Sequence, residues 1–304
     1  MDQRRSTDPA HRVADLRARL LERGSREHYQ DAPLYDFEYA DRLDDIEWYV
    51  ALAGELADEL GRPLEILELG AGTGRITHAL LAGGHQLTAL DRMAPMLRHL
   101  ETKTPPRDRA RLRLIEADMS APPVDAESFD LVLAPFNTLM HLYTHKQLHT
   151  CFTAVWRTLR AGGTFAFDVL LPDLEWLTWD PTERHGVTFF KHPTTGERLV
   201  YSTNHTYDNS TQICHVRIFY DNAPMRPQAF EPPPVPHQLV HLAHRQIFPE
   251  ELRLLVATAG FSLDSHHGDF DGAPLSADIE SQVIRCRKTT PEDTAQKTDA
   301  KSKK

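Results

Sequence analysis

Ile66-Leu67-Glu68-Leu69-Gly70-Ala71-Gly72-Thr73-Gly74-Arg75 is a short apolar run that breaks into three alternating glycines and then opens a helical pattern. Glycine tolerates φ > 0 and carries no Cβ. The chain can therefore turn sharply at a strand end and let a ligand lie against bare backbone, beside the N–H groups of the helix that follows. This is the reading of a nucleotide-cofactor loop. A dinucleotide fingerprint places its third glycine three residues after the second, a place held here by Arg75. A guanidinium there would crowd a pyrophosphate, which disfavours adenine dinucleotides.

Outward from this loop, Leu64 to Leu171 alternates short β-rich runs with helical ones, the pattern of parallel βαβ units. Before it, the apolar spacing predicts an amphipathic helix from Asp8-Pro9 to Gly24 and a second from Asp44 to Leu60. After it, a helix through Leu148, Phe152, Val155 and Leu159, closed by Gly162-Gly163, feeds a fifth strand, Thr164 to Leu170. Three strand-like runs follow, Val187–Lys191, Leu199–Tyr207 and Ile213–Tyr220, which read as an antiparallel meander inserted after that strand. Pro224 to Pro236 holds six prolines and predicts an exposed loop. A returning strand is expected within His237 to Phe248, a helix from Pro249 to Gly260, and two last strands at Phe261–Ser265 and Gln282–Arg287. Lys288 to Lys304 is almost devoid of apolar residues and reads as a disordered tail.

The glycine spacing after Glu68 resembles that of the class I S-adenosylmethionine (SAM) methyltransferases, and three further segments match that family in order. Gln86-Leu87-Thr88-Ala89-Leu90-Asp91 resembles its second strand, whose terminal acid takes both ribose hydroxyls of SAM, a role the resemblance gives to Asp91. Arg92-Met93-Ala94-Pro95-Met96-Leu97 resembles the run that follows, without its serine, and puts Met96 on the adenine side. Leu114-Ile115-Glu116-Ala117-Asp118-Met119 is similar to the third-strand signature, in which Asp118 would accept from the adenine amino group and the Met119 N–H would serve a ring nitrogen. Phe129 to Asn137 resembles the fourth strand, whose end opens onto the transferable methyl group. The residues the resemblance implies for the cofactor are Glu68, Gly70, Ala71, Gly72, Gly74, Arg75, Asp91, Arg92, Met96, Asp118, Met119, Pro135, Phe136 and Asn137.

Composition agrees with such an enzyme. The chain has 304 residues, 40% of them hydrophobic, enough for one large core with a small appendage. A formal net charge of −10 with dispersed Lys and Arg argues against a phosphate-backbone partner. Ala134-Pro135-Phe136-Asn137 also lacks the order that base-amino methyltransferases carry, so no nucleic acid is expected as partner. Cys151, Cys214 and Cys286 are far apart and odd in number, which writes neither a disulfide framework nor a zinc ribbon and makes the cytoplasm the expected location. No apolar run approaches the ~20 residues of a membrane span, and Met1 to Arg5 leads into a polar helix. No membrane partner is expected, and the oligomeric state is read as monomer or homodimer.

Methyl transfer needs an aligned nucleophile and exclusion of water more than it needs acid or base strength. An ammonium ion or un-ionised hydroxyl must nevertheless lose a proton before it attacks, and a nearby His or carboxylate supplies that step. Phe136-Asn137-Thr138-Leu139-Met140-His141-Leu142 resembles a segment of the amino-sugar N,N-dimethyltransferases whose histidine assists amine deprotonation, which makes His141 the candidate base. Tyr35-Asp36-Phe37-Glu38-Tyr39 resembles their Tyr-Asp-x-x-Tyr segment and makes Tyr39 the candidate beside the acceptor nitrogen, although the residues after it, Ala40 to Asp45, depart from their pattern. A broader likeness is to bacterial small-molecule methyltransferases that share a late Gly268-Asp269-Phe270-Asp271-Gly272. The small-molecule acceptor is read as an amine, with a hydroxyl, a carboxylate or SAM binding without turnover as alternatives. His141, His145 and His149 fall four apart and could share a helix face, but abundance, seventeen histidines in all, explains such clusters and no metal is expected. Arg198, Arg217 and Arg245 are candidates for an acidic substrate group, and Trp176, Trp179 and Phe190 for an apolar lid.

The expected architecture is α/β: a Rossmann-like class I methyltransferase sheet, order 3-2-1-4-5-7-6 by resemblance, helices on both faces, and a small antiparallel β cap after strand 5. The expected division is 1–43 N-terminal helical cover, 44–175 SAM-binding core, 176–247 substrate cap, 248–287 completion of the sheet, and 288–304 tail.

Overall fold

The computed structural model describes residues 9–224 and 230–289. The described residues form two compact units, one within 1–37 and 174–245, the other within 38–173 and 246–304. The segments before Pro9 and after Thr289, including most of the expected tail, lie outside the described residues, as do five residues of the proline-rich loop.

The larger unit is built on a seven-stranded sheet. Its strands are β1 (Glu65–Leu69), β2 (Gln86–Asp91), β3 (Leu112–Glu116), β4 (Phe129–Ala134), β5 (Leu159–Leu170), β10 (Phe261–Gly268) and β11 (Ser281–Lys288). They lie in the order β10-β11-β5-β4-β1-β2-β3. β1 to β5 run parallel, and β11 pairs antiparallel with both β5 and β10. Counting only these seven, the order is the expected 3-2-1-4-5-7-6.

Side chains alternate across each strand, which sorts the sheet into two buried faces. Ile66, Leu131, Leu133 and Ala166 turn to one side, against Tyr49, Leu52, Ala53 and Leu56 of helix α3 (Asp44–Leu60) and Ile76, Leu80 and Leu81 of α4 (Arg75–Ala82). Leu67, Leu69, Val132, Phe165 and Phe167 turn to the other. There they meet Leu148, Phe152 and Val155 of α6 (His145–Thr158) and Leu252, Leu255 and Val256 of α7 (Pro249–Thr258). Strands covered on both sides read as continuous apolar runs, as β4 does with all six residues buried. Helix α5 (Ala94–Lys103) covers β2 and β3 through Leu100.

The Gly162-Gly163 pair does not close the preceding helix. α6 ends at Thr158, Leu159 is already extended at φ −71° and ψ 140°, and the glycines lie inside β5. Phe129 pairs with Leu159 and Leu131 with Thr164, so the glycines bulge out of the ladder, Gly162 at φ +73°. Lys288, expected in the tail, is the last residue of β11. Its Nζ donates to the Leu159 carbonyl at 2.7 Å and lies 4.2 Å from the centre of the Trp156 ring.

The smaller unit carries a four-stranded antiparallel sheet, β6 (His185–Lys191), β7 (Arg198–Asp208), β8 (Ile213–Asn222) and β9 (Gln238–Arg245), paired in chain order. Leu199, Ile218, Tyr220 and Val240 share one face and pack with Leu34 of α2 (Ala32–Glu38). Helix α1 (Pro9–Gly24) lies on β9, so closely that a Cβ on Gly24 would come within 2.5 Å of the Ala243 Cβ. No helix among the described residues is long and apolar enough to cross a membrane.

His28 is buried in this unit, edge-on to Tyr29 and Tyr35 with ring centres 5.3 and 5.6 Å away, and burial lowers its pKa from 6.5 to about 4. Between those values the unfolded chain binds the extra proton and the folded chain does not, so this stability is complete above about pH 6.5 and falls as the pH drops toward 4. The loss is on the order of 3 kcal/mol. Urea unfolding of wild type and His28→Phe at pH 7.5 and pH 5 should show a distinctly smaller acid loss in the variant.

Candidate active site

β1 ends in the glycine loop, and all three glycines have positive φ: +67° at Gly70, +56° at Gly72 and +87° at Gly74. At Gly70 the need for glycine is also one of space, since a Cβ would lie 2.6 Å from Cγ2 and Oγ1 of Thr138. The Ala71 N–H donates to the Leu90 carbonyl at 3.0 Å and ties the loop to β2. Thr73 is buried, and its Oγ1 has no hydrogen-bond partner among the described residues.

Arg75 opens α4 and turns to α3. Both its terminal nitrogens donate to the Asp45 carboxylate, at 2.9 and 3.1 Å, and it also reaches the Arg42 carbonyl. Asp45 lies in the first turn of α3, where a negative charge suits the helix dipole, and is 1% exposed. Glu68 faces the same helices from β1 and accepts from Thr77 Oγ1 at 2.5 Å. Burial raises its pKa to about 8 against the pull of that bond, so near neutrality it is held mainly in its protonated form.

Asp91 ends β2 as a buried carboxylate. It accepts from the Gly72 N–H and from the Met93 N–H, each at 2.8 Å. Burial raises its pKa, and these two bonds oppose the rise. Arg92 follows it, and Met96 is fully buried on α5. Asp118 and Met119 lie just past β3. Asp118 is exposed and accepts from the Ser120 N–H and hydroxyl, at 2.8 and 2.6 Å, while Met119 packs on the core and its carbonyl accepts from Cys151 Sγ.

Past β4, Pro135 leads into two consecutive left-handed residues, Phe136 at φ +54° and Asn137 at φ +63°. Neither is glycine, and such a conformation persists where surrounding bonds over-determine it. Those bonds come from Asp168 on β5, whose Oδ1 accepts from the Phe136 N–H at 2.8 Å and Oδ2 from the Asn137 N–H at 3.2 Å. The Tyr49 hydroxyl donates to the same carboxylate at 2.7 Å. Asp168 is completely desolvated and its pKa is pushed up to about 6, while Tyr49 is raised well above its ordinary value by burial and by Asp168. Tyr39 stands edge-on to the Phe136 ring with centres 4.9 Å apart, and the guanidiniums of Arg75 and Arg42 lie 5.1 and 5.4 Å from the same ring centre. His141 ends the short 3-10 turn Thr138–His141, half-buried, with Nδ1 3.4 Å from the Tyr143 hydroxyl.

Residues expected at the strand ends therefore do lie there, and Tyr39 meets the turn after β4. The sequence reading missed Asp168, Tyr49, Asp45 and Thr77. A polar residue within the apolar run Phe165 to Leu170, and Asp45 and Tyr49 in line with the apolar stripe of α3, were the available signals. His141, His145 and His149 do not share a helix face, because Thr144 caps α6 by accepting from the Gln147 N–H and leaves His141 outside the helix. Among the described residues no group of three His, Cys, Asp or Glu side chains is placed to hold a metal. In the smaller unit Arg217 donates to the Pro181 carbonyl and Arg245 to Gln212, while Arg198 is exposed at the start of β7. Trp176 stacks on His205 at 3.9 Å, Trp179 packs against His185, and Phe190 packs on the core.

Residues 66–163 match a family model described as a methyltransferase domain. A malonyl-[acyl-carrier protein] O-methyltransferase of Paenibacillus sp. (strain JDR-2) is 31% identical over 134 residues, 40% of this chain and 47% of the relative. The chain thus spans about half the length of the curated relatives it matches. Among solved structures, the CcbJ methyltransferase from Streptomyces caelestis superposes with a TM-score of 0.62 at 22% identity, over 80% of this chain and 90% of that one. SAM-bound CalS10, an amino pentose methyltransferase from Micromonospora echinaspora, gives 0.57 at 14% identity, over 95% and 100%. The strand order, the glycine loop and these likenesses together show a Rossmann-like methyltransferase fold, with a methyltransferase domain matched over residues 66–163.

Proposed function

We propose that this protein moves a methyl group from SAM to a small-molecule acceptor and that the attacking atom is an amine nitrogen. The observation that carries the reading is the convergence of Tyr39 on Phe136, in the turn that leads into His141, because these are the positions the amino-sugar motif singles out. When bound, SAM supplies a methyl carbon activated by its sulfonium. The residues present fit it: Gly72 has free space where a Cβ would stand, and Thr73 Oγ1 and Asn137 Oδ1 are buried oxygens with no hydrogen-bond partner among the described residues.

In this reading Gly70, Ala71, Gly72 and Gly74 present backbone to the cofactor, with Glu68 and Arg75 bracing the loop from beneath. Asp91 uses one lone pair of each oxygen on backbone N–H groups, which leaves capacity for the ribose hydroxyls. Asp118 and the Met119 N–H serve the adenine, Met96 and Arg92 line its side, and Pro135 to Asn137 border the reacting end. Tyr39 orients the acceptor, and His141 takes the proton that an ammonium must lose before its lone pair can attack. The seven-stranded unit then binds the cofactor.

A second reading, O-methylation of a carboxylate, has its own support. Arg42 lies over Phe136 with no ion-pair partner among the described residues, and a matched relative is named as an O-methyltransferase of malonyl-acyl-carrier protein. A carboxylate needs no base, which separates the two readings.

Calorimetric titration should give micromolar binding of SAM and S-adenosylhomocysteine, abolished in Asp91→Ala, and no binding of NAD. Tight binding without turnover on any amine, amino sugar or small acid would favour a binding protein instead. For an amine acceptor, His141→Ala should lower kcat by about 100-fold or more while SAM binding stays intact. Full retention of kcat would remove the base and favour the carboxylate.

A further inference from the structure

We propose that Asp168 is a positioning residue for methyl transfer, holding the turn after β4 in its reactive shape through the N–H groups of Phe136 and Asn137. The inference rests on the assignment of that turn to the reacting end of the site. Asp168 lies too deep to meet a ligand, at 3% exposure, and it acts through the backbone it binds. Strand alternation sends it to the α3 side of the sheet with Ala166, while Phe165, Phe167 and Val169 pack on the other face. There a carboxylate is the one side chain short enough and rich enough in lone pairs to accept from two successive amides and a phenol at once.

The charged groups around it are few. α3 presents Tyr49, which donates to it, and Asp45, already paired with Arg75. On β4 its neighbours in the ladder are apolar, the turn itself offers only Phe136 and Asn137, and β11 opposes it with Val283. The ionised carboxylate satisfies all three donors. Protonation at about pH 6 replaces an acceptor site by a donor and releases part of the grip, so the turn is held above that pH and loosened below it. In Asp168→Asn the amide nitrogen replaces an oxygen, and one backbone N–H faces another donor.

The test uses the full chain labelled with 15N-phenylalanine, the Phe136 amide being identified by its loss in Phe136→Leu. Between pH 8 and pH 5 the wild-type Phe136 amide should shift with a midpoint near pH 6, and affinity for S-adenosylhomocysteine should fall about tenfold over the same interval. Asp168→Asn should show neither step and bind S-adenosylhomocysteine about tenfold more weakly at pH 8. Tyr49→Phe keeps both backbone bonds but loses a donor that favours the charged form, so its midpoint should move upward. A wild-type Phe136 amide that ignores pH, or one left unmoved by both variants, overturns the inference. A role in stability alone would lower the melting temperature of Asp168→Asn and leave its affinity for S-adenosylhomocysteine at pH 8 unchanged, which overturns the inference. Absence of S-adenosylhomocysteine binding in wild type would instead remove the cofactor-site reading, while the amide titration still decides the role of Asp168.

Discussion

Two buried carboxylates hold the backbone where the central strands stop. Parallel strands that end together must turn within a few residues, and the turning amides lose their ladder partners while still shielded from water. An unpaired buried N–H costs about 1–3 kcal/mol, so each turn needs an acceptor brought in from elsewhere. Asp91 collects the Gly72 and Met93 amides, and Asp168 collects those of Phe136 and Asn137. Both turns contain residues at positive φ, and both stand where the cofactor and acceptor are proposed to meet. Burial raises the pKa of each acid, and the hydrogen bonds keep that rise moderate.

Under the sheet these acids belong to a wider polar layer. Glu68 and Asp168 face α3 and α4 from the sheet, Asp45 lies on α3 itself, and Arg75 of α4 is the cation paired with Asp45 there. Three full negative charges against one positive would be costly in such a place. Glu68 relieves the imbalance by keeping its proton up to about pH 8, so the charges that persist are those with strong donors. Arg75 then serves two surfaces, its nitrogens on Asp45 and its guanidinium face over Phe136. That position is where a dinucleotide fold would need glycine, and the space is used here to brace the loop.

The four-stranded unit follows a different economy. Its sheet buries Leu199, Ile218, Tyr220 and Val240 on one face, and its polar interior is carried by histidines and arginines. His241 donates through Nδ1 to the Glu27 carboxylate at 2.8 Å, Arg184 pairs with Asp221 at 2.7 Å, and His205 stacks on Trp176.

Much of this was legible in the chain. The order of helices and strands and the glycine loop follow from periodicity and punctuation, because φ > 0 at a strand end selects glycine and alternation selects the buried faces, and Asp91 follows from the family resemblance. Helix α3 and strand β2 have the predicted bounds, Asp44–Leu60 and Gln86–Asp91. The glycine pair in β5 was misread because helix closure and β-bulge ask for the same backbone freedom. Asp168, Tyr49 and Asp45 could not be joined from sequence, since 119 positions separate the hydrogen-bonded Tyr49 and Asp168 and only the packing of α3 onto β5 closes that gap. The sequence by itself determined which local conformations are cheap. Tertiary structure decided which buried amides need an acceptor and which carboxylate reaches them, because desolvation has no meaning until the layers have packed.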